Sequence, residues 1–597
     1  MLKFPYGLSS YYDIITEGYI YVDRTQYIRT IEDAGKHLLF LRPRRFGKSL
    51  WLSTLFAYYD LDKADEFGRL FSHLAIGQNP TPLHNQYFIL KWDFSNVSPL
   101  GNAEQIQQSL YDYLNDTIKA FRVEYRHLLT DATDLIEIHP TNALSSFQSL
   151  LLAVRQTSHK LYLLIDEYDN FANELLMGQR DIDPDRYKTL VHGEGCLKLL
   201  FKVIKSAASD GGIDRTFITG VSPVVMSDVT SGHNIAKNIY LDHRLNDLCG
   251  FTEAEVIDMV DQIAQTCQPM LNTDEVVSVM RTFYDGYSFA EDNKTLIYNP
   301  TLTLYFFEHL KQQCKYPSRI LDSNLAMDRN KIIYISRLVN GNQIIMEALN
   351  ETEPVTIHAL ADRFGVEDIL YNAKDNQFMV SLLYYFGVLT LTDQRSEFGD
   401  LVFTIPNLVI RQLYVERLQE LLYPEATDKN EAINVARMFY RTADLAPVAE
   451  FIENHYFKLF DNRDYRWANE LTLKTVFLTL LFNDTFYIMD SETVLDRHYA
   501  DMTMIVRPDM RQYQLLDFLF EFKYISLKTL GLTADEIQQK DYATLKALPK
   551  VTAQLDKAKT KLTGYQQTVQ QKVGSGLRLH TYAVVSLGFE RIVWEKV

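Results

Sequence analysis

Two groups of residues in this chain could do chemistry, and each sets carboxylates beside a lysine. The first begins in 38–54, LLFLRPRRFGKSLWLST, where an apolar run (Leu38–Leu41) leads through a basic turn into Gly47-Lys48-Ser49 and a helical pattern. Strand, tight loop and helix start is the setting in which backbone N–H groups cradle phosphates. Lys48 would reach the β- and γ-phosphates, and the Ser49 hydroxyl would ligate Mg²⁺. The expected nucleotide-binding residues here are Arg45, Phe46, Gly47, Lys48, Ser49 and Leu50. The G-x-x-x-x-G-K-[ST] pattern asks for glycine at position 42, where this chain has Arg42. Taken alone, G-K-S is also an ordinary helix start.

The segment Leu161-Tyr-Leu-Leu-Ile-Asp166-Glu167 supplies the partner. An apolar strand ending in two acids can hold Mg²⁺ through Asp166 and polarise the attacking water through Glu167. Thr219, ending the strand Thr216–Thr219, sits where a polar sensor of the γ-phosphate would stand, although a strand-ending threonine reads equally well as structural. Asp93 ends another strand and reads first as a plain terminus. Gly220-Val-Ser222-Pro lacks the second glycine of a nucleophile elbow, which argues against a serine hydrolase. Arg44, Arg45, Arg215 and Arg244 all stay open as the arginine acting on the γ-phosphate.

The second group lies near the C-terminus. Asp501 starts one strand (Met502–Val506), and Leu515–Lys523 is an apolar strand ending in Glu521-x-Lys523. Period-two alternation puts Glu521 and Lys523 on one face. Asp501 and Glu521 would converge on one or two Mg²⁺ ions, with Mn²⁺ also suited. Lys523 would position or deprotonate a water and neutralise developing charge. The bland alternative is a strand end that carries charge because it is exposed.

FLRPRRFGKSL, Tyr6-Gly-Leu-Ser, Ile218-Thr-Gly-Val-Ser-Pro-Val, Gly250-Phe-Thr-Glu-Ala-Glu-Val and Phe283-Tyr-Asp-Gly-Tyr-Ser-Phe together resemble a known family. It is the prokaryotic AAA-ATPase-like group with a C-terminal PD-(D/E)XK nuclease domain. The resemblance covers roughly the first three hundred residues well and about the last 130 by pattern. It implies an N-terminal strap on the ATPase core and a third metal-site carboxylate, Glu470, near the start of the helix Trp467–Phe482. It also implies a helix carrying Lys561 and Tyr565 against nucleic acid. DNA is the expected substrate ahead of RNA, and a homo-oligomer is compatible. An alternative in another class is a nucleotide-switched scaffold whose tail binds nucleic acid without cutting.

The elements that must position these residues follow from length and periodicity. At 597 residues the chain exceeds one core. We expect a P-loop AAA-like ATPase domain at 1–248 and a helical lid with a winged-helix-like module at 249–445. A PD-(D/E)XK nuclease-like α/β domain follows at 446–597. Strands alternating with helical patterns (49–60, 101–128, 143–158, Lys198–Ala208) imply a parallel sheet with helices on both faces. Tyr19–Tyr21 alternates like a short strand. Ile357–Phe364 and Met379–Phe386 read as helices before a β-hairpin, more a packing arm than a nucleic-acid reader. Residues 425–445 read as a linker, and Leu530–Leu548 as a flap or an insertion.

The net charge of −17 argues against coating by nucleic acid over the whole surface, while from 541 onward nine Lys/Arg face four Asp/Glu. Four cysteines without a C-x-x-C pair suggest neither structural zinc nor a disulfide framework and fit a reducing cytoplasm. The N-terminus has no signal-peptide pattern, and no apolar run approaches the ~18 residues that span a bilayer.

Overall fold

The computed structural model describes every residue except 1, 99, 171–194, 211, 224–235, 269–270, 292, 318, 321–328, 339–340, 350–353, 362–363, 365–374, 424–425, 461–469, 491–492, 496–497 and 574–575. Two compact units result. The first comprises Met1–Met270, Asp285–Gln312 and Thr356–Phe403, and the second Leu271–Tyr284, Gln313–Val355 and Thr404–Val597.

The first unit is built on strands β1 (His37–Leu41), β2 (Tyr87–Asp93), β3 (Lys160–Asp166), β4 (Ile213–Gly220) and β5 (Lys237–Asn238). They pair in parallel in the order β2-β3-β4-β1-β5. Runs such as LLFL (38–41) and LYLLI (161–165) are apolar and buried at every position because a parallel sheet is covered on both faces. Helices Lys48–Tyr59, Ala103–Glu124, Ala143–Arg155 and Cys196–Ser209 match the expected periodic segments. An Asn102/Gln105 capping box starts the second of them. Insertion of β4 between β1 and β3 matters for chemistry: the ends of all three strands lie side by side, with Thr219 between the P-loop and the acids of β3.

Two local expectations fail in this unit. Tyr19–Tyr21 forms no strand; its backbone is tied by Tyr19 N–H to the Ile14 carbonyl (2.9 Å) and by Ile20 N–H to the Lys3 carbonyl (2.8 Å), with no strand partner among the described residues. The helix expected from Ile357 does not form in its described residues either. Val355–Ile357 is strand β6, which joins β7 (Thr390–Arg395) and β8 (Leu401–Thr404) in the order β6-β8-β7. Consecutive β-branched Val355, Thr356 and Ile357, with only the outer two buried, suit a pleated edge better than a helix face. Residues 362–363 of that expected helix lie outside the described residues.

The second unit carries a mixed sheet in the order β15-β14-β13-β12-β9. Its strands are β9 (Tyr487–Asp490), β12 (Met502–Val506), β13 (Asp517–Ile525), β14 (Leu579–Leu587) and β15 (Arg591–Lys596); β10 (Thr493–Leu495) and β11 (His498–Ala500) form a separate pair. Only β13 and β14 run parallel, with Glu521 opposite Ala583 and Lys523 opposite Val585. Period two divides β13 cleanly. Phe518, Phe520 and Phe522 form an aromatic ladder against Phe439 and Phe477, whereas Leu519 joins the core under the helix Pro549–Val573. Glu521 and Lys523 share the parity of Leu519.

The expected linker at 425–445 is instead largely the helix Ala426–Thr442, with Phe439 stacked on Phe518 at 4.3 Å. It is part of this unit's core. The segment Leu530–Leu548 is no loose flap: its short helices bury Ile537 and Leu545 in the core beneath Pro549–Val573. The helix Glu470–Leu481 matches expectation, though Trp467–Asn469 and Arg497 lie outside the described residues. Cys196 and Cys249 are free and buried, but Cys267 and Cys314 are disulfide-bonded, against the expectation of unpaired thiols. Among the described residues no helix is long and apolar enough to cross a membrane.

Candidate functional site

At the end of β1 the chain turns through Arg42–Phe46 into the helix Lys48–Tyr59, and both Arg45 (φ 66°) and Gly47 (φ 94°) are left-handed. Such a turn points successive N–H groups inward, and glycine takes the second position without steric cost. The side chain of Arg42 leaves the turn entirely. It is fully buried, donating to the carbonyls of Leu41 (2.8 Å), Tyr240 (2.8 Å) and Leu245 (2.7 Å) between the rings of Phe40 and Phe289. Burial pulls its pKa down to about 10. The missing glycine therefore leaves the phosphate cradle open, because the side chain that replaces it is spent on the core.

Lys48 is 3 % exposed. Its ammonium donates to the carbonyls of Arg42 (3.0 Å) and Pro43 (3.1 Å) and lies 3.1 Å from Glu167 Oε1. Asp166 is buried at the end of β3, where Thr219 Oγ1 donates to its Oδ1 at 2.6 Å and the Ser49 hydroxyl also bonds to it. Burial raises its pKa, and these two hydroxyls pull the other way. Glu167 follows in a left-handed conformation (φ 49°), its N–H on Asp166 Oδ1 at 3.1 Å. A non-glycine residue in that region is a held conformation, of the kind found at working sites. The turn thus brings together Lys48, Ser49, Asp166, Glu167 and Thr219 as expected, with Leu50 in the first helical turn and Phe46 packed edge-on against Tyr287 and Phe289.

The other candidates separate. Asp93 caps a short turn by accepting from Ser95 N–H and Oγ, a plain strand terminus. Arg44 donates to Asn170, Arg215 to the Gly35 carbonyl, and Arg244 chelates Asp242.

Sequence reasoning missed Asp169. Fully buried, it accepts from Val221 N–H (3.1 Å), Ser222 N–H (2.8 Å) and Ser222 Oγ (2.9 Å), clamping the turn after β3 to the exit of β4. A side chain at Gly220 would meet Asp169 Oδ1 at 2.5 Å, so that position must be glycine. The Asp-Glu-Tyr-Asp and Gly-Val-Ser stretches carried this signal, but only pairing of their strands joins them. Beside the turn lies a cavity of about 330 Å³, at the small end for ligand pockets. Arg45, Lys48, Ser49 and Glu167 line it together with an apolar wall that includes Phe4, Tyr21, Phe251 and Phe307.

In the second unit the C-terminal candidates also converge. Lys523 Nζ lies 2.9 Å from Glu470 Oε1, 3.0 Å from Glu521 Oε1 and 3.9 Å from Asp501 Oδ2. Burial opposes its charge, but Glu521 and Asp501 outweigh that and push its pKa up to about 12. Lys561 reaches from the helix Pro549–Val573 to Glu521 Oε1 at 2.6 Å. Asp501 is oriented by the Phe522 N–H at 2.7 Å. Glu521 is fully buried, its pKa raised by burial and then by Asp501. Its Oε2 has no hydrogen-bond partner among the described residues.

Tyr565 is 5 % exposed and packs into the core that the helix Pro549–Val573 covers, close enough to the cluster that burial and then Glu521 raise its pKa. Among the described residues no three His, Cys, Asp or Glu side chains stand together as an ion-holding group. At this cluster a lysine ammonium occupies the place between the three carboxylates. The all-oxygen donor set and the orphaned Glu521 Oε2 nevertheless suit a hard divalent cation.

Residues 5–230 match the family model described as a predicted AAA-ATPase. Over 555 residues the chain is 24 % identical to an uncharacterized protein from the vnfD 5′ region of Azotobacter chroococcum mcd 1, covering 91 % of this chain and 93 % of that one. A Walker-type ATPase of Pyrococcus abyssi is 13 % identical with a TM-score of 0.39, over 69 % of this chain and 98 % of that chain. The ORC1 protein of Aeropyrum pernix, solved in complex with DNA, is 10 % identical with a TM-score of 0.26, over 68 % and 96 %. With the P-loop, the acids of β3 and the parallel sheet, the family match makes the N-terminal part of this chain an ATP-binding P-loop domain of the predicted AAA-ATPase type.

Proposed function

We propose that this chain is an ATPase whose C-terminal domain cuts nucleic acid, DNA ahead of RNA, with the nucleotide state controlling the cut. The observation that carries the cutting half is the meeting of Glu470, Asp501, Glu521 and Lys561 around or beside Lys523, all within 4 Å of a neighbour in the cluster. Acids and lysine in such a group can hold a divalent ion and steer a water toward a phosphodiester.

In the ATPase half, Lys48 neutralises the β- and γ-phosphates, while Ser49 and Asp166 are the residues that would hold Mg²⁺. Glu167 accepts the proton of the attacking water, and Thr219 fixes Asp166 from the neighbouring strand. In the C-terminal half, Asp501 and Glu521, with Glu470, would hold Mg²⁺ or Mn²⁺. The ion would polarise the scissile phosphate and orient the water. Lys523 keeps its proton at neutral pH and balances charge gathering on the phosphate oxygens. Lys561 holds Glu521 in place.

Purified full-length protein, supercoiled plasmid and Mn²⁺ or Mg²⁺, with and without ATP, tests this reading. Nicking that disappears in Lys523→Ala supports it. A wild type that never nicks DNA or RNA, yet changes assembly state with ATP, supports the scaffold alternative instead.

A further inference from the structure

We propose that the small sheet β6-β8-β7 senses whether the P-loop is occupied, and that Lys48 passes the signal through Pro43 to the turn at Gly387. This rests on the ATPase reading and adds to it the element that responds to the nucleotide.

Two peptide groups flank the ring of Pro43, and Lys48 holds both. Its ammonium donates to the Arg42 carbonyl, which precedes the ring, at 3.0 Å and to the Pro43 carbonyl, which follows it, at 3.1 Å. Arg42 is fixed independently, because its guanidinium donates to three carbonyls in the core. The proline ring is therefore the part of the turn whose position depends on Lys48. Gly387 lies against that ring. A Cβ at Gly387 would fall 2.6 Å from Pro43 Cγ and 2.7 Å from Pro43 Cβ, so backbone and ring are in direct contact and no side chain fits between them.

Gly387 is also the joint of the small sheet. It closes the helix Asn376–Tyr385 in a left-handed conformation (φ 75°), with its N–H on the Tyr384 carbonyl (2.9 Å) and the Val388 N–H on that of Leu383 (3.0 Å). The chain then enters β7 at Thr390, whose Oγ1 accepts from Ser288 N–H at 2.8 Å. Ser288 stands between Tyr287 and Phe289, the two rings that pack on Phe46 of the same P-loop turn. The sheet is thus tied to the turn twice, at Pro43 directly and at Phe46 through this aromatic pair.

A triphosphate offers Lys48 full negative charges in place of two neutral carbonyl dipoles. When the ammonium turns to it, both peptide groups around Pro43 lose the lysine, and the ring can shift against Gly387. The two arrangements of Lys48 are the two states, and the sheet responds because it packs on the residue that distinguishes them. By linkage, whatever presses the Gly387 turn onto Pro43 in the empty arrangement opposes nucleotide binding by the same factor.

The test is amide hydrogen exchange of the full chain, read by mass spectrometry with and without Mg²⁺ and a non-hydrolysable ATP analogue. With the analogue bound, P-loop amides should slow, while amides in 387–391 should exchange about fivefold faster, the size of one lost hydrogen bond. Lys48→Met, which can hold neither carbonyl, should show that fast exchange at 387–391 without nucleotide and no further change on adding it. Fast exchange throughout the first unit of Lys48→Met would mean unfolding, and the wild-type comparison then decides alone. P-loop amides that slow while 387–391 stay unchanged overturn the relay and leave the ATPase reading standing. An analogue that slows no P-loop amide overturns both.

Discussion

Lys48 Nζ lies 3.1 Å from Glu167 Oε1, so the cation expected to meet phosphate and the carboxylate expected to activate water are each other's counterion. Both are largely withdrawn from solvent, with side-chain exposures of 2 % and 18 %. A phosphate arriving at the loop competes with Glu167 for Lys48. On the proposed reading, phosphate binding would release Glu167 from Lys48, so that Glu167 would become available as a base only once the γ-phosphate is in place.

Glu167→Gln tests that coupling. The amide keeps the shape but loses the charge, so Lys48 is held less firmly and ATP should bind at least as tightly as in wild type. Hydrolysis should fall about 10²-fold or more, because general-base catalysis is lost. Lys48→Ala should instead lose binding. A fluorescent ATP analogue titrated into each variant, followed by single-turnover hydrolysis, separates the two effects.

Arg42→Gly restores the consensus glycine and is expected to harm the protein. The guanidinium satisfies the carbonyls of Leu41, Tyr240 and Leu245 in a site that water does not reach. Removing it takes a donor from each of those carbonyls, leaving that of Leu245 with only the Leu248 N–H at 3.3 Å among the described residues, and opens a hole between Phe40 and Phe289. The cost should be about 3 kcal/mol or more in urea unfolding of the first unit. An Arg42→Gly protein as stable as wild type would show that the buried arginine is dispensable.

The chemistry-bearing stretches were legible because each is continuous in sequence. Gly47-Lys48-Ser49 opens the helix after β1, Asp166-Glu167 closes β3, and Glu521-x-Lys523 lies within β13, where alternation alone assigns the face. What stayed hidden depends on partners far along the chain. Phe439 reads as linker until Phe518 is beneath it, and Tyr565 reads as a surface tyrosine until the helix Pro549–Val573 is laid on β13. Asp169 has no visible role until β4 brings Ser222 to it. The expected helix Ile357–Phe364 shows the opposite failure: its first residue, Ile357, is taken instead by the strand Val355–Ile357, where β-branching and pairing within a small sheet outweigh helical spacing.

Asp60 gives a pH-dependent prediction. It is fully buried; Oδ1 accepts from Tyr125 OH (2.8 Å) and Asp62 N–H (3.0 Å), while Oδ2 has no partner among the described residues. Burial raises its pKa from 3.8 to about 6. The folded state then binds more protons than the unfolded state between those values, so this group's contribution falls as pH rises through the window. Asp60→Asn keeps Oδ1 as an acceptor and removes the charge. It should match wild type near pH 4 and become more stable by roughly 1–3 kcal/mol above pH 6.5. Urea unfolding at pH 4, 5.5 and 7.5 measures it, and an advantage that shrinks as pH rises would contradict the assignment.

Lys523→Met asks what the central ammonium does. In the wild type that ammonium neutralises Glu470, Glu521 and Asp501 from 2.9, 3.0 and 3.9 Å. Methionine keeps much of the aliphatic stem and removes the charge, leaving three carboxylates facing one another with only Lys561 beside Glu521. Like charges so placed repel, so the variant should melt below wild type in metal-free buffer. A divalent cation supplies the lost positive charge, and Mn²⁺ should raise the melting temperature of Lys523→Met more than that of wild type. By the same logic its Mn²⁺ affinity should rise about tenfold, equivalent to ~1.4 kcal/mol, while cutting falls. Tighter metal with lost cleavage assigns Lys523 to charge balance on the phosphate. Equal Mn²⁺ shifts in both proteins, in calorimetry on the full chain carrying Lys48→Ala to silence the nucleotide site, would mean that the carboxylates do not share an ion.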